Sequence, residues 1–69
     1  MNQPIQLTVN GEIRRTCALT VASLVRELEL EPAKVAVERN LEIVPRSTLG
    51  DVCVEDGDDF EIVHFVGGG

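Results

Sequence analysis

Apolar and polar residues alternate near the start of the chain. Residues 5–9 have the sequence Ile-Gln-Leu-Thr-Val, and this period of two is typical of a half-buried strand. Asn10-Gly11 follows, a strong hairpin signal because both residues tolerate a positive φ. The pattern predicts a strand over 5–9, a tight turn, and a second strand over about 12–17.

The register of this hairpin is open from the sequence alone. A two-residue loop places Arg14 and Thr16 on the apolar face of the first strand. A three-residue loop with a bulge places Ile13, Arg15 and Cys17 there instead.

The period then changes from two to 3.6 residues, which indicates a helix. Four apolar residues recur at i, i+3, i+4 and i+7, namely Val21, Leu24, Val25 and Leu28. Thr20 is suited to cap the N-terminus, and the helix should end before Pro32, because the residue preceding a proline avoids helical angles. We expect one amphipathic helix of about three turns whose apolar stripe faces the core.

Turn residues divide the rest of the chain into short segments. We expect a strand that begins with 35–37, a strand at 42–44 and a final strand over 60–65. A short helical turn at 47–50 and a brief extended piece at 52–54 are expected between the last two strands. Asn40 and the Asp56-Gly57-Asp58 sequence mark turns, and Pro45 should end a strand because it cannot donate to a ladder.

The order of elements predicts an α+β fold. Two hairpin strands, one helix and two or three further strands form a mixed sheet of four to five strands packed on one main helix. The economical arrangement is the β-grasp, or ubiquitin-like, fold. A chain of 69 residues makes one domain, 1–69, with a core too thin to enclose a deep catalytic pocket easily.

The last strand separates into two faces. If Phe60 and Ile62 point toward the helix, Val63 and Phe65 are apolar residues on the solvent face. Together with Val66 they form a candidate docking site for a partner, because exposed apolar groups rimmed by charge mark interaction surfaces. The alternative is that a loop or a neighbouring strand covers these residues.

Three glycines follow this strand. Glycine has no Cβ, so Gly67 and Gly68 could thread a channel too narrow for side chains. The carboxylate of Gly69, with a pKa of about 3.5, would be ionised at neutral pH and could act as a nucleophile. We therefore interpret 66–69 as a flexible tail that another protein modifies, with Gly69 as the modified residue.

Composition and charge restrict the class of partner and the location that we expect for this protein. Twelve acidic and six basic residues give a charge of −6, which argues against nucleic acid and suits a partner with a basic docking surface. We expect no membrane span, since there is no apolar run of the roughly 18 residues that one needs, and no signal peptide, since residues 1–4 lack its charged start and apolar stretch. We expect a cytoplasmic protein that is monomeric when free.

Catalytic and metal-binding residues are not indicated. Cys17, Cys53 and His64 are the only cysteines and histidine, too few for a structural zinc site or an iron–sulfur cluster. We expect both cysteines to be small buried apolar groups and His64 to have no chemical role.

Two blocks closely resemble a known family. Residues 40–47 (Asn-Leu-Glu-Ile-Val-Pro-Arg-Ser) and 55–69 (Glu-Asp-Gly-Asp-Asp-Phe-Glu-Ile-Val-His-Phe-Val-Gly-Gly-Gly) are similar to the ThiS family, the sulfur carriers of thiamine biosynthesis. The N-terminal half matches by pattern only. Leu41 departs from the small turn residue that is usual, and Leu49 from an expected aromatic residue.

The resemblance implies a mechanism without a catalytic residue or a bound cofactor on this chain. A ThiF-type adenylyltransferase, using its own ATP and magnesium, would adenylate Gly69. Sulfur from a cysteine desulfurase route would give a thiocarboxylate, which a ThiG-type thiazole synthase would consume. Carriers for molybdopterin or cysteine synthesis, a ubiquitin-like modifier, and a plain interaction module remain alternatives.

Overall fold

The computed structural model describes residues 3–65. One helix packs against one face of a five-stranded sheet, whose order is β2-β1-β5-β3-β4. The elements are β1 (Ile5–Val9), β2 (Glu12–Thr16), α1 (Val21–Glu27), β3 (Val35–Arg39), β4 (Glu42–Val44) and β5 (Asp59–His64). β1 and β5 run parallel, and the other neighbouring pairs run antiparallel. The predicted α+β architecture is confirmed, with five strands.

The first hairpin adopts the two-residue loop. Leu7 pairs with Arg14, and Asn10 and Gly11 have φ values of 51° and 83°, as a type I′ turn requires. This register brings Thr16 to the inner face, where it is buried. Its Oγ1 donates a hydrogen bond of 2.7 Å to Glu27 Oε1 at the end of α1, so β2 is tied to the helix.

The helix begins as predicted and ends early. Thr20 Oγ1 accepts a hydrogen bond of 3.1 Å from Ser23 N. However, α1 has seven residues, about two turns, so the expectation of three turns was wrong. The chain reverses at Glu29, whose φ is 65°, and Leu30 N donates back to Val25 O over 3.1 Å. This backward bond after a left-handed residue is a Schellman motif.

The core lies between α1 and the inner face of the sheet. Its largest fully buried side chains are Phe60, Leu7, Leu24, Val21, Val25 and Val35. Phe60 lies on β5, the central strand. The core therefore joins α1 and both hairpins to a strand from near the C-terminal end of the sequence. The burial of Phe60 and Ile62 fixes the position of β5, whose last residue is His64.

The remaining segments match the expected order with small shifts. β4 ends at Val44, before Pro45, as predicted. The short helical turn is a 3₁₀ helix at Arg46–Thr48, one residue earlier than expected, and a second 3₁₀ helix at Pro32–Lys34 was not predicted. β5 also begins one residue early. No helix within residues 3–65 is long and apolar enough to cross a membrane.

Both cysteines lie at the surface, which contradicts the expectation that they are buried. Cys17 directly follows Thr16, the residue that takes the inward position. Cys53 forms an isolated bridge opposite Thr20 and is also exposed. Backbone alternation, rather than the apolar character of the thiol, decides their placement.

Candidate functional site

The C-terminal end of β5 is the part of the described structure that leads to the glycines. Phe60 and Ile62 face the core, with 0% and 6% of their surface exposed, whereas Val63 and Phe65 are 59% and 47% exposed. The predicted division of this strand into a buried and an exposed face is therefore correct. Within residues 3–65, no loop or neighbouring strand buries either of the two exposed side chains.

Phe65 is held in place although it is half exposed. Its N–H donates to Lys34 O over 2.8 Å, which continues the antiparallel ladder between β5 and β3 by one residue. The guanidinium carbon of Arg46 lies 5.7 Å from the centroid of the Phe65 ring, within the range of a cation–π contact. The ring is thus oriented at the surface before the chain continues to Val66.

The solvent face of the sheet around Val63 carries acidic and apolar groups side by side. Val63 lies opposite Ala36, and Glu61 lies opposite Glu38. Glu38 is in turn opposite the exposed Ile43. Like charges directly across a ladder are unfavourable, so this pair of carboxylates would gain from a cationic partner.

Asn10, the residue after β1, makes hydrogen bonds to β5 beyond the last residue pair of the two strands. The backbone N–H of Asn10 donates to Phe60 O over 2.8 Å. Its side chain then makes two further bonds to one residue: Oδ1 accepts from Ile62 N at 2.8 Å, and Nδ2 donates to Ile62 O at 3.1 Å. The amide thus extends the parallel ladder by one residue and helps to fix the course of β5.

A second turn asparagine holds the start of the same strand. Asn40 N donates to Asp59 O over 2.7 Å, Asn40 Oδ1 accepts from Asp59 N at 2.9 Å, and Asn40 Nδ2 donates to Asp58 Oδ1 at 3.1 Å. Asn40 was predicted only as a turn residue. Asn40 and Leu41 have φ values of 51° and 72°, so the β3–β4 turn is also of type I′. Both hairpin turns therefore bind the central strand, one on each side.

Asp58 anchors this arrangement with a buried carboxylate. Arg39 Nε donates to Asp58 Oδ2 over 2.9 Å, and Glu55 N donates to the same oxygen over 2.8 Å. Burial by itself would raise the pKa of Asp58, but the hydrogen bonds from Arg39, Glu55 and Asn40 outweigh it and hold the pKa below its ordinary value of 3.8. Asp58 is thus ionised and structural.

The described residues do not form a cofactor or metal site near β5. A groove of about 230 Å³ lies beside the β3–β4 hairpin and is lined by Arg39, Asn40, Glu42, Ile43, Val44, Pro45 and Val52. Asn40 borders the start of β5, so the groove is at the opposite end of the strand from His64. Within residues 3–65, no three His, Cys, Asp or Glu side chains group to hold a metal ion.

The residues with the proposed chemistry lie outside the described part of the chain. Val66, expected to dock, Gly67 and Gly68, expected to thread, and Gly69, expected to be modified, all follow position 65. Of the predicted site residues, the structure therefore places Val63 and Phe65. The positioning role of the Asn10 side chain was missed, since the Asn-Gly signal indicates a turn and not what the side chain binds.

Comparison with known proteins identifies the family. The ThiS family profile matches residues 2–69. The sulfur carrier protein ThiS of Bacillus subtilis is 46% identical over 50 residues, which cover 72% of this chain and 76% of that protein. Thiazole synthase of Paramagnetospirillum magneticum is 53% identical over 66 residues, which cover 94% of this chain. This chain spans only 20% of the length of that enzyme.

Solved structures agree with this result. The crystal structure of the thiamine biosynthesis protein ThiS from Geobacter metallireducens superposes with a TM-score of 0.77 at 35% identity, covering 94% of this chain and all of that one. A designed protein based on human erythrocytic ubiquitin has a TM-score of 0.54 at 23% identity, covering all of this chain and 98% of that one, and supports the ubiquitin-like β-grasp fold alone. The predicted fold and the resemblance to a carrier that is not an enzyme are thereby confirmed. The chain belongs to the ThiS family, the sulfur carrier proteins of thiamine biosynthesis.

Proposed function

We propose that this chain carries sulfur as a thiocarboxylate on Gly69 and delivers it for construction of the thiazole ring of thiamine. The observation that carries the proposal is the placement of β5. This strand is held on both sides, by Asn10 and by β3, and it leads directly to Val66 and the glycines. A well-anchored strand that is followed, after Phe65 and Val66, by three residues without side chains is suited to a terminus that must enter another protein's active site.

The chemistry would proceed in two stages on the terminal carboxylate. A carboxylate oxygen of Gly69 attacks the α-phosphate of ATP, and pyrophosphate leaves, which gives a glycyl adenylate. The terminal sulfur of a persulfide then attacks the glycyl carbonyl and displaces AMP to give an acyl disulfide. A thiol cleaves that disulfide at the distal sulfur, so that a new disulfide forms and the thiocarboxylate is released.

The catalytic groups for these steps would belong to partners. ATP and magnesium would be bound by a ThiF-type adenylyltransferase, since magnesium neutralises phosphate charge in such transfers. A cysteine desulfurase route would supply the persulfide, and a ThiG-type thiazole synthase would accept the sulfur. The thiazole synthases of Paramagnetospirillum magneticum and Magnetococcus marinus each contain a segment similar to this chain, which supports thiazole synthase as a partner.

Docking would use the exposed end of β5. Val63 and Phe65 present apolar surface, and Val66, the next residue in the sequence, would take part in the same contact. The facing carboxylates of Glu38 and Glu61 would attract a basic rim on the partner, and the charge of −6 would speed the encounter with it.

Intact-mass measurement tests the proposal. A chain ending at Gly69 is incubated with ATP, magnesium, a sulfide source and a ThiF-type adenylyltransferase. Exchange of one carboxylate oxygen for sulfur should add about 16 daltons, as expected for substitution at an activated acyl group. A matched chain lacking Gly69 should gain nothing. An unchanged mass of the longer chain, with an adenylyltransferase shown to be active on another carrier, would refute the assignment.

A further inference from the structure

Among residues 3–65, β5 has one open edge at its C-terminal end. In an antiparallel ladder, alternate residues direct their N–H and C=O groups toward the partner strand and the others direct them away. The bonds from Asn40 N to Asp59 O and from Phe65 N to Lys34 O show that residues 59, 61, 63 and 65 face β3. Residues 60, 62 and 64 therefore face the side of β1.

On that side the hydrogen bonds end before the strand does. Phe60 O accepts from Asn10 N, and both polar backbone groups of Ile62 are bonded by the Asn10 side chain. β1 ends at Val9, before the position that would pair with His64. Among residues 3–65, no hydrogen bond satisfies the N–H or C=O of His64 on this open side.

We propose that the adenylating partner adds an extended segment to this edge, so that its backbone bonds the N–H and C=O of His64. The inference rests on the proposed function and adds the way in which the partner recognises the chain. Strand addition to an exposed sheet edge is a common recognition mode, in which the main chain supplies affinity and alternate side chains supply specificity.

The surroundings of the edge indicate the chemistry of the added segment. Proteins usually protect open edges with lysine, proline or a bulge, and residues 63–65, Val-His-Phe, contain no such device. Val63 and Phe65 lie exposed beside the edge, and Glu61 lies two residues before Val63. The segment should therefore carry an apolar side chain against Val63 or Phe65 and a lysine or arginine near Glu61.

The edge is also continuous with the residues to be modified. His64 is the last residue of β5, and on the other side Phe65 is still paired with Lys34. An added segment would complete a three-stranded arrangement around His64, two residues before Val66. The tail would then enter the partner's active site from a fixed direction, which reduces the conformational freedom lost at that step.

A backbone modification tests the inference without changing a side chain. The 69-residue chain is short enough for chemical synthesis, and an N-methyl group at His64 removes the N–H and obstructs the open edge. N-methylation at Phe65 is the matched control, because that N–H is already bonded to Lys34. His64→Ala keeps the N–H and removes the imidazole.

The readouts are thermal unfolding and ATP–pyrophosphate exchange by the adenylyltransferase. The chain N-methylated at His64 should unfold at the same temperature as the unmodified chain and lose at least about tenfold in kcat/KM, the effect of one interfacial hydrogen bond. His64→Ala, which keeps the backbone N–H, should lose less kcat/KM than the chain N-methylated at His64. N-methylation at Phe65 should lower the unfolding temperature.

Two results would overturn the inference. Unchanged kcat/KM after N-methylation at His64 would show that the edge is not used, while the proposed function would stand. A lower unfolding temperature for that chain would show that the N–H is already bonded within the fold. If the unmodified chain supports no exchange with an active adenylyltransferase, the proposed function fails and the inference fails with it.

Discussion

Replacement of Asn10 by glycine isolates the contribution of one side chain to the position of β5. Asn10 has a φ of 51°, which alanine would adopt only with strain, whereas glycine accepts it freely. Gly-Gly is also compatible with a type I′ turn. Asn10→Gly therefore removes the two hydrogen bonds to Ile62 and leaves the turn itself unstrained.

The expected loss follows from those two bonds. They measure 2.8 and 3.1 Å, and a typical intramolecular hydrogen bond contributes about 1 kcal/mol net. We expect Asn10→Gly to lower the free energy of unfolding by about 2 kcal/mol. For a domain of this size that corresponds to a fall of roughly 8–16 °C in Tm.

Circular dichroism and amide hydrogen exchange would measure the effect together. The amide of Ile62 should lose more protection than the amide of Glu61, which faces β3 and keeps its partner there. Asn10→Asp is the matched variant: it retains the acceptor for Ile62 N but places a carboxylate beside Ile62 O, so it too should be destabilised at neutral pH. An Asn10→Gly protein with unchanged Tm and unchanged Ile62 protection would refute the assigned role.

Three other predictions follow from the structure and the proposed function. Leu41 has a φ of 72° and is 87% exposed, so Leu41→Gly should relieve left-handed strain and raise the free energy of unfolding by about 1 kcal/mol. Urea unfolding would measure this, and the control Leu41→Ala should change the free energy of unfolding little. Asp58→Asn should lower stability by about 1.5–3 kcal/mol at pH 7. Because the pKa of Asp58 is depressed, its contribution to the free energy of unfolding is present above the ordinary value of 3.8 and is lost as pH falls through the folded-state pKa. The urea midpoints of Asp58→Asn and of the parent protein should therefore converge at low pH. A difference that stays constant with pH would contradict this. Gly68→Val should abolish the mass gain on Gly69 while leaving Tm unchanged, and a full thiocarboxylate yield would refute threading through a narrow channel.

The elements that the sequence predicted correctly depend on local chemistry. Alternation over 5–9, the Asn10-Gly11 turn and the stop at Pro45 involve residues within a few positions of one another, and backbone preferences there agree with the final fold. The division of β5 into Phe60 and Ile62 inside and Val63 outside follows from alternation once the strand is known.

The features that were missed depend on contacts or on unusual backbone angles. Glu29 ends the helix in a left-handed conformation without the glycine that signals such an end. The pairing of Asn10 with Ile62 joins residues 52 positions apart, which no local pattern can indicate. The surface position of Cys17 depends on the hairpin register, and the sequence left two registers open.

The central strand of the sheet, β5, comes from the C-terminal end of the described sequence. Thr8 pairs with Asp59, so β1 cannot gain its inner neighbour until β5 has been synthesised. A chain interrupted before this strand has two separate hairpins, no central strand and no Phe60 in its core. Such long-range pairing slows folding. Under the proposed function, it would also let the adenylating partner discriminate between folded and unfinished chains, because His64 takes its place in the sheet only after all five strands have assembled.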